Sequence, residues 1–240
     1  MFFYIVVTFL LLIGGYRFIS NKRTSKKVFV VEGNIGTGKT TFLKLLQTYI
    51  DCEIIYEPVD IWIKHIDTDG KNILEKFYDD FKRWAYTMQS FAFKTRFDVQ
   101  SKSQTKQYRF LERSIFTDYF VFAHNCYLTQ LMTKLEWIIY KQWFKTLLDV
   151  YKKAGYKIYP DGYIYLKCSP ETSNIRIKKR NRPGESGITL EYLTQIDKLH
   201  NSWLFSDDNK IPVLTINCDK EFENDPNYQK KVFEMLRNFI

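Results

Sequence analysis

The apolar run Val28-Phe29-Val30-Val31 stops at Glu32 and gives way to G-N-I-G-T-G-K-T over 33–40. A short β-branched and aromatic run cut by glycines predicts a buried strand that enters a turn. Phe42, Leu43, Leu45 and Leu46 then form a broad apolar face, which predicts a helix over 40–50. Glu53-Ile54-Ile55-Tyr56 reads as a second buried strand, ended by Glu57-Pro58, and residues 60–70 read as irregular. No glycine or proline interrupts 72–100, so that stretch predicts one long helix. Tyr108–Leu111 is a third strand, closing on Glu112-Arg113-Ser114, and helical patterns follow over 116–130 and 133–153. Gly162–Lys167 is a strand, and Ser169-Pro170-Glu171 opens a helix that Pro183-Gly184 breaks. A helix over 190–204, a strand over 212–216 and a helix over 226–240 complete the pattern. Strands alternating with helices predict an α/β fold, a parallel sheet covered on both faces. Ligands of such sheets lie beyond the carboxyl ends of the strands. Residues 33–40, Glu57 and Glu112-Arg113 fall there.

The spacing at 33–40 is that of a phosphate-binding loop, G-x-x-x-x-G-K-[ST], in its strand–turn–helix context. Gly33 and Gly38 allow the backbone to wrap a phosphate closely. The amides of Asn34, Ile35, Gly36 and Thr37 and the following helix terminus can face the anion. Lys39 can reach the β- and γ-phosphates, and the Thr40 hydroxyl can ligate Mg²⁺. The loop indicates a nucleotide phosphate and leaves kinase, GTPase and motor open.

Composition narrows the setting. A chain of 240 residues, 45% hydrophobic, suits one globular domain with a short appendage. Cys52, Cys126, Cys168 and Cys218 are dispersed with no C-x-x-C pair, which argues for reduced thiols in a cytosol-like compartment. His65, His124 and His200 form no metal pattern. The net charge of +9 has one cluster at Lys22, Arg23, Lys26 and Lys27 and another at Arg176, Lys178, Lys179, Arg180 and Arg182. Because the second cluster reads as phosphate-gripping, nucleic acid is not the expected partner. Residues 2–16 carry no charge but fall short of the roughly twenty residues of a bilayer span. The segment 1–26 is read as an apolar stretch plus basic linker. It is a short membrane anchor through Phe18 and Ile19, a buried helix or an early-assigned start, ahead of a domain over 27–240.

Nine ordered blocks then resemble the deoxynucleoside kinase family, the group of deoxycytidine, deoxyguanosine and mitochondrial-type thymidine kinases. They are E-G-N-I-G-T-G-K-T-T-F at 32–42, Y-E-P-V-D-I-W at 56–62, N-I-L-x-x-F-Y at 72–78, R-W-x-Y-T-M-Q at 83–89 and L-E-R-S-I-F-T-D at 111–118. E-W-x-I-Y at 136–140, Y-L-K-C-S-P-E-T at 165–172, R-x-x-x-R-x-R-x-x-E at 176–185 and I-T-L-E-Y-L at 188–193 follow. The resemblance implies a P-loop kinase fold with a five-stranded parallel sheet and an arginine-rich lid. It implies ATP as phosphate donor with Mg²⁺, and transfer to the 5′-hydroxyl of a deoxyribonucleoside.

The implied roles follow residue by residue. Glu57, at a strand end near the loop, can accept the proton of the attacking hydroxyl. Glu112 is a metal-side residue with Thr40, or the base in an alternative assignment. Arg113 contacts phosphate or forms a structural ion pair. Arg176, Arg180 and Arg182 match lid arginines, which stabilise the transferring group electrostatically; Glu185 matches the lid residue that touches the sugar. Tyr78 matches the partner of the sugar 3′-hydroxyl and Gln89 the amide that reads the base edge. Trp62 and Met88 are apolar walls and Phe122 a stacking aromatic, with core packing an equal alternative for each aromatic. Arg96 and Asp118 match the pair of the deoxycytidine and purine deoxynucleoside kinases, or form a salt bridge without influence on specificity. Lys220, Glu221 and Phe222 match the adenine loop only loosely. Pro183-Gly184 and a short stretch between Arg96 and Glu112 depart from the family pattern. A homodimer through the helices near 72–100 and 133–153 is implied.

Two other readings stay open at this point. A nucleoside monophosphate kinase such as thymidylate kinase shares the loop and lid but carries D-R-[YH] where this chain has Glu112-Arg113-Ser114. A non-catalytic nucleotide-binding subunit that kept the fold is the other. A GTPase is disfavoured, since no N-K-x-D motif occurs.

Overall fold

The computed structural model describes residues 25–182 and 185–240. The apolar segment 2–19 and the Pro183-Gly184 pair lie outside the described residues. Five strands, β1 (Lys27–Glu32), β2 (Cys52–Ile55), β3 (Tyr108–Glu112), β4 (Gly162–Lys167) and β5 (Val213–Asn217), form one sheet in the order β2-β3-β1-β4-β5. Every neighbouring pair is parallel, with Val31 opposite Glu112 and Glu32 opposite Tyr165. The carboxyl ends of β1 and β3 are therefore level.

Alternation along β1 sends Phe29 and Val31 to one face and Val30 to the other. The first face packs with Phe110, Ile164 and Leu166 against α1 (Lys39–Tyr49) and α10 (Pro226–Phe239) through Phe42, Leu46, Phe233 and Leu236. Val30, Leu111, Tyr163 and Tyr165 meet Leu204 of α9 (Leu190–Leu204) on the second face. A third core joins α2 (Val59–Lys64), α3 (Ile73–Asp79), α4 (Phe81–Gln100) and α7 (Lys134–Lys153) through Trp62, Phe77, Met88, Phe93 and Phe144. Between β4 and α9 lie α8 (Pro170–Arg180) and a 3₁₀ turn at Glu185–Gly187. This is the parallel sheet with helices on both faces that the alternating pattern predicts. No helix among the described residues is long and apolar enough to cross a membrane.

Three elements differ from the sequence reading. Residues 59–64 are helical, although 60–70 reads as irregular, because burial of Trp62 overrides the poor helix propensity of Val59, Ile61 and Ile63. The expected single helix over 72–100 is two helices. Asp80 leaves the helical region at φ −144° and accepts the Arg83 N–H, acting as N-cap of α4. Asn72 caps α3 reciprocally with Glu75. Finally, the helix expected over 116–130 runs unbroken over 115–128, as α5 (Ile115–Thr117), a π-helical turn at Asp118–Ala123 and α6 (His124–Leu128), and differs only by that turn.

Candidate active site

The loop between β1 and α1 is tied down by its own residues. Asn34 is buried; its Nδ2 donates to Leu193 O at 2.8 Å and its Oδ1 accepts the Ile35 N–H at 2.8 Å. Thr37 Oγ1 donates to Asn34 O at 3.1 Å. Gly38 begins α1 with φ 89°, the left-handed region that glycine adopts without strain. A Cβ on Gly36 would stand 2.7 Å from Ser173 O, so α8 leaves no space for a side chain there. Lys39 is buried, and its Nζ donates to the carbonyls of Asn34 at 2.7 Å and Gly33 at 3.3 Å. Burial depresses its ammonium and Arg113 adds to this; the carboxylates of Glu112, Glu57 and Glu32 only partly offset them, leaving it at about 7.

At the end of β3, Glu112 Oε1 accepts the Thr40 hydroxyl at 2.8 Å and its Oε2 accepts the Glu57 N–H at 3.5 Å. The two residues read as metal-side are thus in contact. Arg113 follows with φ 62°, one of the few non-glycine residues in this region. Such a conformation costs on the order of 1–3 kcal/mol and persists where neighbours fix it. Here the Arg113 N–H donates to Val31 O at 3.0 Å, and its carbonyl accepts from Gln100 Nε2 at 3.2 Å. The buried guanidinium lies over the Phe122 ring, 4.7 Å from its centroid, with Nε 3.4 Å from Glu57 Oε1. Its Nη1 has no hydrogen-bond partner among the described residues.

A cavity of roughly 690 Å³, including its open mouth, joins this loop to the helical layer. All the residues read as substrate-facing line it: Glu57, Trp62, Tyr78, Met88, Gln89, Arg96, Arg113, Asp118, Phe122 and Glu185. Ile35, Gly36 and Lys39 line its phosphate end, together with Arg180 and Arg182. Met88, Gln89, Ala92 and Arg96 come from one face of α4, spaced at helical intervals. Trp62 is fixed by its indole N–H donating to Thr95 Oγ1 at 2.8 Å. Asp118 and Phe122, four residues apart on the helical stretch that follows β3, share one face and both line the cavity.

Charge inside the cavity is paired. Arg96, 2% exposed at its side chain, donates from Nε to Asp118 Oδ2 and from Nη2 to Glu57 Oε1, both at 2.8 Å. Burial alone would raise the Glu57 carboxyl. The charges of Arg96, Arg113 and Lys39 outweigh that and hold it at about 2. Asp118 is buried more deeply, and burial pushes it up to about 6 against the pull of Arg96. Burial, with the carboxylates of Glu185 and Glu57 nearby, raises the Tyr78 hydroxyl, which stays a neutral donor. At the rim, Arg180 Nη2 bonds both oxygens of the buried Glu185 at 2.8 and 2.7 Å, and Arg182 Nη1 stands 3.4 Å away.

Several predicted residues lie outside the cavity wall. Arg176, on α8, is near enough to Asp219 to help hold that carboxyl down, an effect led by the Ser169 N–H bond. Lys220 and Glu221 are exposed, while Phe222 is buried edge-on to Phe42 and against Gly38. Phe222 is therefore a core residue beneath the loop. Conversely, Val59, Leu74, Phe77, Ala92 and Tyr192 line the cavity without having been singled out. The α4 periodicity running through Met88 and Arg96 points to Ala92; Tyr192 falls in the I-T-L-E-Y-L block at 188–193, which by itself assigns it no contact.

Comparison with known proteins agrees with this geometry. The family model described as Deoxynucleoside kinase matches residues 29–240. The mitochondrial deoxyguanosine kinase of Xenopus laevis is 34% identical over 92% of this chain and 92% of its own length. Deoxycytidine kinase 2 of Gallus gallus is 33% identical over 88% of this chain and 89% of its own. The human mitochondrial thymidine kinase 2 is 34% identical over 91% of this chain and 79% of its own. The chain belongs to the deoxynucleoside kinase family.

Proposed function

We propose that the chain transfers the γ-phosphoryl group of ATP to the 5′-hydroxyl of a deoxyribonucleoside, favouring deoxycytidine or a purine deoxynucleoside. One observation carries this reading: the Glu57 carboxylate, held low by Arg96, Arg113 and Lys39, stands where the phosphate loop meets an aromatic-walled cavity that opens to solvent. Phosphoryl transfer asks the protein for positioning and charge stabilisation more than for covalent chemistry. Glu57 accepts the hydrogen bond of the 5′-hydroxyl and aims its oxygen. At about 2, the carboxylate is too weak to pull the proton off a free hydroxyl, so the proton moves as the O–P bond forms and the hydroxyl acidifies. Lys39 and the loop amides hold the donor phosphates. Arg113, with its unpartnered Nη1, and the lid arginines Arg180 and Arg182 neutralise the moving group. Arg176, Lys220 and Glu221 belong to the donor side in this reading, and Phe222 supports the loop from the core.

The Thr40–Glu112 contact is an oxygen-only pair beside the phosphate loop, suited to Mg²⁺ carried in by the nucleotide. Among the described residues no cluster of three His, Cys, Asp or Glu could hold a metal by itself. Thr40 and Glu112 would hold Mg²⁺ when it binds, and its charge would offset that of the donor phosphates.

Gln89 reads the base edge, Tyr78 and Glu185 hold the sugar, and Trp62, Met88 and Phe122 enclose the ring system. Arg96–Asp118 narrows the far wall and sets substrate choice. A monophosphate acceptor would set its dianion against the ionised Glu57, which disfavours a thymidylate-kinase reading. The chain pairs with a second copy through the helices near 72–100 and through α7, the latter exposing Leu135, Ile138, Trp143 and Val150; light scattering reads the mass directly. The deciding assay offers deoxycytidine, deoxyadenosine, deoxyguanosine, thymidine and their monophosphates with ATP and Mg²⁺. Phosphorylation of none of the four nucleosides sinks the proposal.

A further inference from the structure

Glu32, the last residue of β1, is fully buried and enters no step described above. Its Oε1 accepts the Thr117 hydroxyl at 2.5 Å and the Ser114 hydroxyl at 3.5 Å. Its Oε2 has no hydrogen-bond partner and faces His200 Nε2 at 3.7 Å, an atom that also lacks one. His200 is fully buried too, on α9, with the Tyr165 ring stacked on its imidazole at 5.9 Å.

Donor and acceptor logic fixes what lies between them. His200 Nδ1 stands 2.9 Å from the carbonyl of Ile196, which can only accept, so Nδ1 carries a proton. A neutral imidazole would then turn the bare lone pair of Nε2 toward a carboxylate oxygen. Two acceptors facing each other in a site closed to water are unfavourable by the desolvation of each. The gap is too short to seat a water on the line between them. We propose that one proton, on either Glu32 Oε2 or His200 Nε2, keeps these two facing atoms in contact, and that this contact makes Glu32 a positioning residue for phosphoryl transfer.

The location gives the contact its consequence. Glu32 precedes Gly33 of the phosphate loop. Ser114 and Thr117 flank the left-handed turn that aims Arg113. His200 is on α9, which follows the Glu185 turn and holds the loop again where Leu193 O accepts from Asn34. One carboxyl thus ties together the root of the loop, the Arg113 turn and the helix behind the lid. The other charged or titratable groups near the pair are Lys39, Arg113, Tyr163 and Tyr165. The Tyr165 hydroxyl is engaged by Asp197. Arg96 of α4 reaches the edge of this network through the Glu112 carbonyl and Asp118, but the hydrogen bonds of Glu32 itself run to Ser114 and Thr117, so its loss is expected to fall on turnover more than on nucleoside affinity.

The inference about turnover rests on the phosphoryl-transfer reading; the proton does not. The ¹⁵N spectrum of His-labelled full-length protein tests the proton without any assay of activity. The expected result is a His200 Nε2 shift that is protonated or hydrogen-bonded, lost in Glu32→Met. A free, unprotonated Nε2 in the unsubstituted protein overturns the proposal. Kinetics tests the role. Glu32→Met, similar in shape but without donor or acceptor, is expected to lower kcat about tenfold or more. Its nucleoside KM is expected to stay within about threefold. Glu32→Gln, whose amide donates to Nε2 and accepts from Thr117, restores most of the lost kcat. Equal loss in the Gln and Met variants, or loss through KM alone, overturns the positioning role.

Discussion

Arg96 Nη2 lies 2.8 Å from Glu57 Oε1 while the Nε of the same guanidinium holds Asp118 at 2.8 Å. One buried cation therefore orients both the carboxylate at the reacting end of the cavity and the carboxylate at its far wall. A planar guanidinium can do this because its donors leave in fixed directions; a lysine at this position would offer one point of charge. The residue expected from sequence to set specificity or to form a plain salt bridge thus also holds Glu57, the candidate base.

Replacing Glu57 by glutamine keeps an oxygen for Arg96 but removes the proton acceptor. The expected outcome is a fall in kcat by roughly 10²–10⁴, the usual contribution of a positioned base, with nucleoside KM nearly unchanged. Steady-state kinetics with ATP held saturating checks it. A kcat within about threefold of the unsubstituted enzyme would remove Glu57 from the reaction and leave Glu112 as the candidate base.

Removing Arg96 has two separable effects. Arg96→Ala leaves Glu57 and Asp118 facing each other without their cation, which is expected to destabilise the fold by about 3–5 kcal/mol. Urea denaturation reads that loss. Adding Asp118→Ala removes one of the stranded charges, so the double variant is expected to be more stable than Arg96→Ala alone. The same double change widens the far wall and is expected to raise kcat/KM for thymidine relative to deoxycytidine by about tenfold or more. An unchanged ratio would make the pair a salt bridge without influence on the base.

Much of this site is legible in sequence because it is local. Gly33 to Thr40 specify their own loop, and the strand-end positions of Glu57 and Glu112 follow from the alternation of strands and helices. Met88, Gln89 and Arg96 share a face by helical spacing alone. What escapes is set by distant parts of the chain. Trp62 is read as irregular until its burial against α4 makes Val59–Lys64 a helix. Asp80 splits a helix because a side chain that competes for backbone donors favours a cap over an interior position. Phe222 sits in a loop that matches the family's adenine loop only loosely, and the structure packs it under Gly38 and Phe42. Glu32 reads as the end of a strand, and only the fold brings His200 to it, 168 positions along the chain.

The depressed Glu57 carboxyl makes stability depend on pH. Its folded value of about 2 lies below its ordinary 4.5, so the unfolded chain binds the proton first as pH falls. The stabilisation is complete above about 4.5 and is lost as pH falls from there toward 2; at about 1.4 kcal/mol per unit it amounts to roughly 3 kcal/mol. Glu57→Gln has no such dependence at this position. The stability difference between the two proteins, measured by urea denaturation at pH 6 and pH 3, is therefore expected to shift against the unsubstituted protein at the lower pH. A difference independent of pH would mean that Glu57 does not sense Arg96 and Arg113 in solution.

Lys39 makes the opposite kind of statement, about binding. Burial and the neighbouring Arg113 leave its ammonium at about 7 in the free protein, so at pH 8 most molecules carry a neutral amine there. A triphosphate placed against Nζ supplies the missing negative charge and restores the ammonium. Binding of ATP at pH 8 is therefore expected to take up roughly one proton, and at pH 6, where Lys39 is already charged, much less from this source. Calorimetric titration in two buffers of different ionisation enthalpy reads this uptake as the difference in apparent heat. Lys39→Arg, which stays charged throughout, is expected to abolish the uptake at pH 8 even where it weakens binding. If the unsubstituted enzyme takes up no proton at pH 8, Lys39 is charged before the donor arrives, and the carboxylates of Glu57, Glu112 and Glu32 outweigh its burial.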